Sequence, residues 1–109
     1  MPNFFFGCES DDPTVTYAFS KANPFGARLG AVLSSDISHF DVPDMTQVLA
    51  EAWELVEERG LSEEDFHAFT FGNAVKLWAS LNRDFFKDTT VQSSVTRLMD
   101  DTSGKPVAA

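Results

Sequence analysis

Two short apolar runs mark the first third of the chain. Phe4, Phe5 and Phe6 lead into Gly7, and Ala31, Val32 and Leu33 lead into the polar stretch that begins at Ser34. Each run is continuous rather than alternating and too short for a helix, which is how a strand buried on both faces reads. The spacing predicts strands over Asn3–Cys8 and Ala31–Leu33. Glu9, Ser10, Asp11 and Asp12 follow the first strand, and Asp12 as N-cap with Pro13 at the first helical position opens a helix expected from Pro13 to Lys21. Val15, Ala18 and Phe19 are its expected inward residues, and Asn23, Pro24, Phe25 and Gly26 break it. The second strand is likewise followed by an acidic loop and a helix. A βαβα order argues for parallel strands with crossover helices.

The helix after Asp44 has the strongest periodicity. Met45, Val48, Leu49, Ala52, Trp53 and Val56 recur at helical spacing, Asp44 and Gln47 read as a capping box, and Gly60 supplies a left-handed stop. Glu51, Glu54, Glu57 and Glu58 form its expected solvated side. Leu61 before Ser62, with Phe66 beyond, reads as a hydrophobic staple opening a helix that ends near Gly72. Asn73 then caps a third helix, Ala74 to Leu81. The segment 91–109, rich in Ser, Thr and Asp, is expected to be a frayed tail.

Two parallel strands need cover on both faces and leave two long edges unpaired. The pattern therefore reads as α/β, a piece of a larger sheet with two parallel strands and about four helices.

Composition narrows the partners. Of the 109 residues 43% are hydrophobic, enough for one domain, and the net charge is -9 with a pI near 4.4. That balance excludes nucleic acid and anionic membrane surfaces as expected partners. Cys8 is the single cysteine, so neither an intrachain disulfide nor a thiolate metal cage is open to it. A basic leader and a membrane-spanning apolar run are both missing from the pattern, and the expected location is cytoplasmic.

The chemistry concentrates after the second strand. Ser34, Ser35, Asp36, Ser38, His39 and Asp41 fall within eight positions. Carboxylates and an imidazole at the C-terminal end of a parallel strand can converge on a ligand without breaking a core. The alternative is that the same residues only shape a turn and cap the next helix. Glu9, at the end of the first strand, reads as part of a solvated or capping cluster with Asp11 and Asp12. Asp41 and Asp44 read as loop and cap residues, and His67 as a surface residue.

The string SSDISHFDVPDM, followed by VLAEAWELVEERGLSEEDFHAFTFGNAVKLWASLNRDFFKDT, resembles the end of the amidohydrolase superfamily. Within it the likeness is to the metal-dependent hydrolase and decarboxylase branch related to amino-carboxymuconate semialdehyde decarboxylase; NFFFGCESDDP resembles the preceding strand and loop. The resemblance spans residues 3–90. It implies the C-terminal fragment of a (β/α)₈ TIM barrel, the last two βα units and the C-terminal helices, with residues 1–90 as a partial barrel. Asp36 would then be the aspartate that closes a Zn or Mn site and serves as base for the attacking water. His39 would be the second catalytic residue, touching substrate or orienting Asp36. The substrate class would be small molecules with C–N, C–O or carboxyl-bearing reacting groups. The family's H-x-H pair is not in this sequence, where His39 and His67 are the only histidines. One aspartate and one imidazole fall short of the three protein ligands of a catalytic zinc site. The chain alone is therefore expected to bind metal weakly and to be inactive, and its open edges call for self-association or a complementing barrel chain. An inactive truncated product and a small acidic interaction module are the alternatives.

Overall fold

The structure is a computed structural model that describes residues 4–104. Asn3, placed at the start of the first strand by sequence, and the end of the chain beyond Gly104 lie outside the described residues. Strand β1 is Phe5–Cys8 and strand β2 is Gly30–Leu33. They pair in parallel, in a register running from Phe5 opposite Gly30 to Cys8 opposite Leu33. Gly30 is required by this closeness, since a Cβ there would lie 2.8 Å from the Phe5 ring and 2.9 Å from the Phe4 carbonyl oxygen. The mixed α/β character and the parallel pair are as the sequence implies.

Helix α1 is shorter than expected, Val15–Ala18 instead of Pro13 to Lys21. Its beginning is held by Asp12, whose Oδ1 accepts from the Thr14 N–H at 2.9 Å and the Thr14 hydroxyl at 2.6 Å. Its end is set by competing bonds. The Ala18 carbonyl accepts from the Leu29 N–H at 2.9 Å, and Asn23 Nδ2 donates to the carbonyls of Tyr17 and Ala27. Val15, Ala18 and Phe19 are buried as expected. The chain then turns through Pro24–Gly26 and enters β2.

Helix α2 is Val48–Glu57. Asp44 does not form a capping box with Gln47. Its Oδ1 instead takes the N–H and hydroxyl of Thr46, at 2.9 and 2.6 Å, repeating the Asp12–Thr14 arrangement of the first βα connection. The buried stripe is Val48, Ala52 and Leu55, while Met45 and Leu49, expected inside, are exposed. The apolar arc is thus rotated toward Leu55. Gly60, at φ 73°, lets the Leu61 N–H reach the Leu55 carbonyl at 3.0 Å, a Schellman-type stop.

Ser62 caps α3, Glu63–His67, by accepting from the Asp65 N–H at 3.1 Å. Leu61 is buried and Phe66 packs beside the same core, as a staple requires. The break expected at Gly72 is absent: a π turn over Ala68–Gly72 leads directly into α4, Asn73–Ala79. The Thr70 hydroxyl donates to the Phe66 carbonyl, a back-bond that competes with the regular ladder in the widened turn. Asn73 is not a cap. It is buried, and its Nδ2 donates to the Ala31 carbonyl of β2 at 2.8 Å.

The chain forms two units, Met1–Ala74 and Val75–Ala109. The core of the first is Val15, Ala18, Phe19, Ala31, Leu55, Leu61 and Phe69, drawn from α1, β2, α2 and the π turn. The Arg28 guanidinium lies over the Phe19 ring, 5.3 Å from its centroid, and pairs with Asp65. In the second unit the expected frayed tail is instead helix α5, Gln92–Ser103. Ser and Thr are poor helix formers in isolation. Here the hydroxyls of Thr96, Thr102 and Ser103 bond back to carbonyls one turn earlier, and Val95 is buried. Stacked Trp78 and Phe85 rings, 5.2 Å apart, continue edge-on into Phe86.

Candidate functional site

The loop after β2 closes on itself by two turns. The His39 N–H donates to the Asp36 carbonyl and the Val42 N–H to the His39 carbonyl, each at 3.1 Å. Asp36 and Ser38 have positive φ values of 51° and 87°. An aspartate tolerates the left-handed region, whereas Ser38 is held there at a cost of order 1–2 kcal/mol. The folded-back loop brings His39 Nδ1 to 3.2 Å from Asp36 Oδ2. Asp41 joins them, and one donor atom from each of the three residues lies within 4.8 Å of the others. Asp36 is half-buried, while His39 and Asp41 are exposed.

Both sequence-chosen residues, Asp36 and His39, are therefore neighbours. Asp41, assigned to the loop by sequence, belongs to the same group. Glu9 lies near it too, because β1 and β2 are parallel and both strands end on the same side. Partial desolvation first, then the negative charges of Asp36, Asp41, Asp11 and Asp12, hold the Glu9 carboxyl above its ordinary value. The signal for Glu9 was present in the sequence, as an acid one residue past a strand parallel to the one before Asp36. Ser10, next to it, is buried and donates to Glu51 at 3.1 Å, tying the end of β1 to α2. His67 is exposed, edge-on to Phe71. Burial, and secondarily Asp12, push the Cys8 thiol up, so Cys8 is no ready nucleophile.

These acids set a pH dependence of stability. The folded pKa of Glu9 is raised, so its favourable contribution is complete below the unfolded value and lost as pH rises through the folded one. The Thr46 hydroxyl and N–H hold Asp44 below its ordinary value, so its contribution is complete above the unfolded value and lost as pH falls through the folded one. As pH falls from neutral the melting temperature should therefore first rise, as the Glu9 carboxyl takes up its proton, and then fall as Asp44 is protonated. Thermal melts check this. Glu9→Gln should flatten the rise, and Asp44→Ala should flatten the fall.

Among the described residues no helix is long and apolar enough to cross a membrane. Comparison with protein-family models, with curated proteins and with solved structures finds no match to this chain.

Proposed function

We propose that this chain is the C-terminal portion of a metal-dependent hydrolase of the amidohydrolase type, with Asp36 as its metal ligand. The observation that carries the reading is the grouping of Asp36, His39 and Asp41 just past the C-terminal end of a strand in a parallel pair. The resemblance of SSDISHFDVPDM and FTFGNAVKLW to that family supports it. So do the two strands themselves, each with one unpaired edge among the described residues, where a complete barrel takes about 250 residues.

The donor set fits a borderline divalent ion, Zn²⁺ or Mn²⁺. At metal–ligand distances near 2.1 Å, tetrahedral ligand atoms lie about 3.4 Å apart. Asp36 and His39 already meet that spacing, and Asp41 needs to close by at most about 1.4 Å. A bound divalent ion supplies a water of lowered pKa. Asp36 would hold the ion and would be the carboxylate placed to accept a proton, and His39 would hold Asp36 in place or meet the substrate. The substrate class is a small molecule with a C–N, C–O or carboxyl-bearing reacting centre, and the active form is completed by a barrel chain carrying the absent histidines.

Calorimetric titration of the chain with Zn²⁺ and with Mn²⁺ tests the reading. One ion should bind with a Kd of about 1 mM, and Asp36→Asn should weaken it by about tenfold or more while Asp100→Asn leaves it unchanged. In a barrel completed with the N-terminal part of a related hydrolase, Asp36→Asn should keep the fold and abolish turnover. Tight stoichiometric binding that survives Asp36→Asn, or full activity of the completed Asp36→Asn barrel, would place the site elsewhere.

A further inference from the structure

We draw no further inference here: the strongest candidate, the exposed apolar surface patch of Trp78, Leu81 and Phe85 in the second unit, carries nothing because nothing in the structure shows what covers it.

Discussion

Replacing Phe69 by alanine should cost about 3–5 kcal/mol, the range for removing a fully buried aromatic side chain from a packed core. Phe69 is 0% exposed and, with Val15, is one of the largest fully buried side chains among the described residues. It sits in the π turn, the segment that packs on β2, and shares its core with Phe19, at the C-cap of α1, and Leu55 from α2. The truncation therefore opens a cavity where three elements meet, and their backbones are too constrained to collapse into it. Against a total stability of about 5–15 kcal/mol for a domain, such a loss removes much of the folding free energy. Urea unfolding of a Trp78→Phe background followed by the fluorescence of Trp53 checks it, since that indole is edge-on to Phe66, 5.0 Å away, beside the same core. Phe25→Ala is the control. Phe25 is fully exposed at φ 60°, and its truncation should change stability by less than about 0.5 kcal/mol. Equal effects at the two positions would mean that the core is not centred on Phe69.

Asn73→Ala should cost about 1–3 kcal/mol, although the substitution favours a helix. The Asn73 amide is the buried donor to the Ala31 carbonyl, and alanine leaves that acceptor without its partner in the core. Because the bond joins α4 to β2 across 42 positions of sequence, its loss should release the strand before the helix. Amide exchange distinguishes the two responses. Faster exchange over Gly30–Leu33 with little change over Val48–Glu57 is the expected outcome. An unchanged strand would show that β2 is held by packing alone.

Local features were readable from residue order where one short segment encodes its own geometry. Ser62, Leu61 and Phe66 build their cap and staple within a few residues, and Gly60 reaches its positive φ without a Cβ penalty. The βαβα order and the parallel pairing followed from two short apolar runs separated by a helical segment. Asp36 and His39 were legible because a strand end and a single loop bring them together.

Other features depended on groups distant in sequence. The end of α1 was decided by Leu29 and Asn23 competing for its carbonyls, a choice that periodicity does not register. The helix expected to stop at Gly72 continues through a π turn because Phe69 fills the core and Asn73 reaches β2. Helix α5 was hidden by its Ser and Thr content, whose hydroxyls gain carbonyl partners once the helix is formed. Asp41 joined Asp36 and His39 only through the folding-back of one loop. Eleven phenylalanines look equivalent in composition, yet Phe69 is sealed and Phe25 stands in solvent. The sequence by itself determined the two strands and their direction, the existence of the helices before residue 80 and the proximity of Asp36 and His39, because these arise from caps, runs and spacings within a few turns of chain. Tertiary structure alone decided which apolar faces are covered, where α1 and α3 end and which acids share the site, because those outcomes depend on hydrogen-bond and packing partners supplied by other segments.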